Sequence, residues 1–245
     1  MYDIKFAQFY DNLFTDEKYE KEIELFRLFF RGNRCLDLGC GTGRHISLIS
    51  RLFTEVYGLD TSIEMLSLCE ERVTKQKLKN VILIDSFSHI DAGIKFDTII
   101  SLFNVVNHIL NYEELVEFFS NTFKYLNNEG VFIFDCWSSA ALIDFEERFI
   151  RQHLLSDSLH CTEESHFNFK NFINTIDYTV EILFDGRVTN KSTFKLMQKI
   201  WTFEELNSAL NDAKILKYKL YDRNNMEPLN RNFNSAKRLV YIVNN

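Results

Sequence analysis

An aspartate and three glycines in strict alternation, Asp37-Leu38-Gly39-Cys40-Gly41-Thr42-Gly43, form the densest chemical signal in the sequence. Glycine lets a backbone turn sharply and approach a ligand closely. The free N–H groups of such a turn, and of a helix starting near Arg44, favour a negative or polar group. Asp60 follows Gly39 by about 20 residues, a spacing at which a carboxylate can accept hydrogen bonds from both ribose hydroxyls of a nucleoside. The dinucleotide fingerprint G-x-G-x-x-G would need glycine where Arg44 stands. That disfavours an NAD-dependent reductase and leaves a different nucleoside ligand. A glycine-lined turn with no ligand is the plain alternative, and the crowding of three of the chain's eight glycines here weighs against it.

The elements that must position these groups follow from hydrophobic periodicity. Apolar runs Cys35–Leu38, Glu55–Asp60, Val81–Ile84, Phe96–Phe103 and Val131–Cys136 read as strands, separated by amphipathic helical stretches such as Tyr112–Leu126. Continuous apolar strands alternating with helices indicate a parallel sheet buried on both faces. Ligands then sit beyond the carboxyl ends of the strands, at the switch point. Asp37, Asp60, Asp85, Phe103 and Trp137 all fall at predicted strand ends, so scattered residues converge in space. Residues 6–30 read as two aromatic helices, with Asp16 capping the second. Leu142–Gln152 also reads as helix. From His166 to Ile200 alternation and an Asp185-Gly186 turn predict an antiparallel insertion of a few strands. Thr202-Phe203-Glu204-Glu205 opens a helix with a capping box, and two closing strands follow. The expected fold is α/β, a Rossmann-like doubly wound sheet divided as a helical cap (1–33), a core (34–137), an antiparallel insertion (138–201) and a closing helix with two strands (202–245).

A formal charge of −7 and the lack of a basic stripe argue against nucleic acid as a partner. No secretory signal or bilayer-length apolar run is visible, so a cytoplasmic protein with no membrane partner is expected. Five cysteines without a C-x-x-C pair read as reduced thiols, and no metal is expected.

The series from Leu36 to Gly43, followed by Gly58-Leu59-Asp60-Thr61-Ser62-Ile63-Glu64-Met65-Leu66, resembles the S-adenosylmethionine (SAM)-dependent methyltransferases over about Arg34–Cys136. Phe6-Ala7-Gln8-Phe9-Tyr10-Asp11, Phe103-Asn104-Val105-Val106-Asn107-His108-Ile109 and Asp135-Cys136-Trp137 are similar to the enzymes that dimethylate the amine of thymidine-diphosphate deoxyamino sugars. The resemblance implies SAM as cofactor, leaving as S-adenosylhomocysteine. It implies Gly39 and Gly41 over the methionine part with Asp37 beneath, and Asp60 with Thr61 at the ribose. Met65 would lie against the adenine, Asp85 and Ser86 at its edge, Phe103 on the cofactor wall and Tyr19 at the methionyl end. Tyr10 would stand near the transferring methyl, with Asn107, His108 and Trp137 on the acceptor side. The implied partner is a nucleotide-linked amino sugar. The late sheet can also join subunits, which leaves a homodimer open.

Methyl transfer to an amine requires nucleophile, methyl carbon and sulfur in line, and His108 or Tyr10 could take or position the amine's proton. O-methylation of a small-molecule hydroxyl would instead need a true base at His108. A SAM-binding protein without chemistry is the third reading, since the loop alone speaks only for binding.

Overall fold

The computed structural model describes residues 4–14, 17–229 and 236–245. Its centre is strand β1 (Arg34–Leu38), where Cys35, Leu36 and Leu38 are fully buried. Such a strand must be covered on both faces. It pairs in parallel with β2 (Glu55–Leu59) on one side and with β4 (Phe96–Ser101) on the other. Beyond β2 lies β3 (Val81–Ile84), and beyond β4 lies β5 (Leu126–Trp137). Strand β11 (Arg238–Asn244) then runs antiparallel to β5, with β10 (Tyr218–Asp222) at the edge. The seven-stranded order is β10-β11-β5-β4-β1-β2-β3. The chain runs outward from β1 through β2 to β3 and then returns to β4 on the other side of β1, so the crevice opens where β1 and β4 end.

Helices α3 (Arg44–Ile49), α4 (Ile63–Lys75), α5 (Tyr112–Tyr125) and α6 (Phe203–Asp212) flank the sheet; the earlier α1 (Ile4–Leu13) and α2 (Glu17–Phe26) lead into it. Their starts are chemically marked. Ser62 caps α4 and Asn111 caps α5, and the predicted capping box at Thr202 and Glu205 opens α6. One apolar cluster packs α5 and α6 on β4, β5 and β11, and a second packs α2 and α3 on the opposite face. The doubly wound sheet is therefore as expected.

A separate antiparallel sheet follows β5. Its order is β6 (Arg148–Ser156), β7 (Leu159–Asn168), β8 (Ile173–Phe184) and β9 (Arg187–Lys199), with Asp185-Gly186 turning between β8 and β9. Pairing register puts Arg151 opposite Glu163 and Asn174 opposite Gln198. Alternation then aligns Arg151, His153, Glu163, Ser165, Asn174, Ile176, Tyr178, Leu196 and Gln198 on one face. That face turns toward the strand ends of the main sheet, and all nine residues line one cavity there.

Two local expectations fail. Leu142–Gln152 is not a helix: a 3₁₀ segment ends at Asp144 and β6 begins at Arg148. Most of β6 is exposed, so burial leaves no period to read; pairing with β7 makes it a strand. Strand β4 stops at Ser101, short of Phe103. Strand β5 begins directly after α5, at Leu126 beside Phe96, and absorbs a register shift, with Glu129 at φ 67°. Asp16, expected as an N-cap, lies outside the described residues.

Candidate active site

The turn after β1 is tied to the end of β2. The Gly39 and Cys40 N–H groups both donate to the Leu59 carbonyl, at 2.7 and 3.0 Å. At Gly39 (φ 74°) a Cβ would lie 2.6 Å from the Val105 side chain. At Gly41 (φ 54°) nothing lies within 4 Å of the same position. Gly39 is thus glycine for internal fit, and Gly41 borders open space. The Gly41 N–H donates to Asp60 Oδ2 at 2.8 Å, and the Ser62 N–H donates to Oδ1 at 2.9 Å. Each Asp60 oxygen keeps a lone pair beyond these bonds. Burial outweighs the two donors and raises the Asp60 pKa.

Asp37 is 1% exposed, and its Oδ2 has no hydrogen-bond partner among the described residues. Burial pushes its carboxyl up to about 6, with Asp60 adding to the rise and His45 opposing it. An open turn, an unmet buried carboxylate oxygen and a second carboxylate at the next strand end fit a nucleoside carrying positive charge.

Aromatic rings stand on the other side of this turn. Phe103 stacks on Tyr19 at 5.7 Å and 27°, and Phe14 meets Phe103 edge-on at 5.1 Å. The Arg44 guanidinium lies 5.3 Å from the centre of the Tyr19 ring. Burial, aided by the carboxylates of Glu22 and Asp11, lifts the Tyr19 hydroxyl far above its usual range, so it stays protonated. Tyr10 packs on Phe14 at 4.7 Å.

Asp11, a residue given no role by sequence reasoning, holds α1 to the turn. Its carboxylate accepts from Thr42 Oγ1 at 2.6 Å and Arg44 Nε at 2.9 Å, and pairs with Arg72. Arg72 in turn donates to the Thr42 carbonyl at 2.8 Å. The only sequence signal was its place directly after Tyr10.

Phe103 also lines a cavity of about 600 Å³. Tyr10, Phe103, His108 and Trp137 line it on one side and the antiparallel sheet on the other. His108 stands at the end of the 3₁₀ segment Val105–His108, and burial lowers its pKa to about 4, against a backbone bond to Met197 that favours the charged form. The ring is therefore neutral near pH 7. Gln198 Nε2 lies 3.4 Å from His108 Nε2.

Other predicted residues sit elsewhere. Asn107 is fully buried, donating to the Lys199 carbonyl at 2.7 Å and accepting from the Trp137 N–H at 2.9 Å. Both ends of its amide are committed to joining β5 and β9, and it does not line the cavity. Met65 is 2% exposed, in a cluster with Ala7, Phe9, Cys161, Ile176 and Tyr178. It packs α1 and the second sheet together and faces no open wall. Thr61 is exposed at the start of α4. Asp85 bonds His89 Nδ1 at 2.5 Å, and Ser86 caps the short turn after β3. That turn neighbours Asp60, whose N–H donates to the Ile84 carbonyl at 3.2 Å.

A buried ionic network supports the junction of crevice and cavity. Glu22 pairs with Arg223 and with His45 Nε2, the latter at 2.9 Å. Asp135 Oδ2 accepts from Arg223 Nε at 3.1 Å and Arg238 Nη2 at 2.9 Å. Burial opposes charge on Glu22, but its bonds to His45 and Arg223 prevail and its pKa falls. For His45 burial is likewise overcome, by Glu22 and Asp37, and its pKa rises.

The methyltransferase domain family model matches residues 35–130, the segment from β1 into β5 that carries the turn, Asp60 and Phe103. Residues 35–130 are a methyltransferase domain. Among curated relatives, the putative methyltransferase YqeM of Bacillus subtilis (strain 168) is 28% identical over 135 residues, 55% of this chain and 55% of that protein. The dTDP-3-amino-3,4,6-trideoxy-alpha-D-glucopyranose N,N-dimethyltransferase of Streptomyces venezuelae is 28% identical over 102 residues, 42% of this chain and 41% of that one. The chain thus spans only about half the length of these relatives. A solved S-adenosylmethionine-dependent methyltransferase from Clostridium acetobutylicum ATCC 824 superposes with a TM-score of 0.79 at 23% identity, covering 98% of this chain and 97% of that one. Its likeness reaches past the methyltransferase domain to the second sheet and the closing strands, and establishes the fold throughout.

Proposed function

We propose that the protein transfers a methyl group from S-adenosylmethionine to the amine of a small molecule, and that the acceptor is a nucleotide-linked deoxyamino sugar. The observation that carries this reading is that Phe103 and Asn104, which follow β4 at the carboxyl end of the sheet, line a cavity of about 600 Å³ whose other wall is the second sheet. S-adenosylmethionine is the cofactor, and when bound it supplies a methyl already made electrophilic by a positively charged sulfur, the carbon–sulfur bond breaking as the acceptor's lone pair forms the new bond. Gly41 supplies the close backbone and Gly39 the fit of the turn beneath it, Asp37 an unmet carboxylate and Asp60 lone pairs for the ribose. Phe103 and Tyr19 wall the methionyl end, and a protonated Tyr19 adds no competing negative charge. We read residues 1–33 as a cap and 138–201 as the roof of the acceptor site.

The basicity of His108 favours nitrogen over oxygen as nucleophile. A side chain with a pKa of about 4 is a weak base. It cannot draw the proton from a hydroxyl, but it can accept a hydrogen bond from an amine that arrives neutral. The amino-sugar relative supports the same choice. The test is methyl transfer from labelled S-adenosylmethionine to a panel of nucleotide-linked amino sugars and their hydroxyl counterparts, read by mass. Transfer to hydroxyl sugars alone would reverse the reading, and transfer to neither would remove the sugar class.

A further inference from the structure

Asn104 combines two energetic costs at one position. It follows Phe103 out of β4, and both residues lie in the left-handed region, at φ 62° and 70°. A phenylalanine is strained there and an asparagine less so, and two such residues in succession persist where the surroundings hold them. The constraint on Asn104 is its N–H bond to Asp135 Oδ1 at 2.8 Å. Asp135 is itself fully buried and fixed by Arg223 and Arg238. The second cost is the side chain. Asn104 is 8% exposed and lines the acceptor cavity, and its Oδ1 has no hydrogen-bond partner among the described residues. A buried amide oxygen left without a donor is destabilising.

This residue stands between Phe103, on the cofactor wall, and the 3₁₀ segment that ends in His108. We propose that the side-chain oxygen of Asn104 accepts a hydrogen bond from the nucleophilic group of the methyl acceptor and thereby turns that group's lone pair toward the cofactor. The inference rests on the methyl-transfer reading and deepens it. It makes the acceptor a hydrogen-bond donor, a primary or secondary amine. Each transfer leaves an ammonium, which gives a proton to solvent before its lone pair can attack again; a neutral dimethylated amine carries no N–H, so the reaction stops after two transfers to a primary amine.

The test uses two variants of the full chain. Asn104→Gly removes the oxygen while suiting the left-handed backbone, and Asn104→Asp keeps an acceptor oxygen. With S-adenosylhomocysteine bound, calorimetry compares a thymidine-diphosphate 3-amino-3-deoxy sugar with the analogue bearing only hydrogen at that carbon. The wild type is expected to prefer the amine, and Asn104→Gly to reduce that preference at least tenfold, with S-adenosylhomocysteine affinity and thermal midpoint close to wild type. Asn104→Asp is expected to retain it. An unchanged preference in Asn104→Gly would overturn the inference. Should the wild type bind neither sugar, the amino-sugar reading falls, and a crystal structure with S-adenosylhomocysteine decides Asn104 separately. A cavity water or solute donating to Oδ1 supports the role; both amide atoms bonded to protein groups end it.

Discussion

Replacing Asp37 by asparagine tests whether the cofactor turn holds stored instability. The carboxyl is 1% exposed with one oxygen unmet, and its pKa is raised from 3.8 to about 6. A raised carboxylate pKa means that the folded state binds the proton more tightly than the unfolded chain. Stability therefore falls as pH rises from about 4 to about 6, and the full penalty is present above that window. Two pKa units correspond to about 3 kcal/mol, an upper figure because asparagine brings N–H groups that need partners of their own. Asp37→Asn is expected to stabilise the ligand-free protein by about 1–3 kcal/mol at pH 8, about 2–12 °C in thermal midpoint for a chain of this size. The gain should shrink as pH drops through the same window. Calorimetric titration should show the opposite order for S-adenosylmethionine, because the neutral amide offers nothing to its positive charge. Thermal melts from pH 4 to 8 decide the matter. A variant less stable than wild type at pH 8, or a difference independent of pH, would refute the reasoning.

Three further expectations follow from the same geometry. His108→Ala should lower turnover about 10- to 100-fold and leave S-adenosylhomocysteine affinity intact, since the ring lines the acceptor cavity; wild-type turnover would dismiss it from the mechanism. Gly41→Ala should cost about 1–2 kcal/mol of stability but weaken cofactor binding strongly, because its new methyl enters the open turn; Gly39→Ala, which strikes Val105, should chiefly lower the melting temperature. Glu22→Gln should flatten the pH dependence of stability. In the wild type the Glu22 contribution is present above pH 4.5 and lost as pH falls through its lowered pKa, while the His45 contribution is present below pH 6.5 and lost as pH rises through its raised pKa. Urea melts from pH 3 to 9 would show whether wild type and variant differ in this way.

Much of the cofactor side was legible because it is local. The alternating glycines, the run Leu36–Leu38 and the acidic end of the second strand each carry their meaning within a few residues. The acceptor side was not. β6 shows no burial period, and only its pairing with β7 reveals it. Asn107 sits in a motif with His108, yet its partners Lys199 and Trp137 lie 92 and 30 residues away. Met65 has the spacing of a cofactor residue and the contacts of a core residue. Asn104 lies in the Phe103–Ile109 stretch, but only its backbone angle and its bond to Asp135 single it out.

The tether at Asp11 links two events that the sequence separates. The helix it secures also presents Tyr10 and Leu13 to the acceptor cavity and rests Ala7 and Phe9 on the second sheet. One short helix therefore closes the cofactor turn and completes the acceptor wall together. A substitution that loosens this helix, at Asp11 or at Arg72, is thereby felt in both compartments at once.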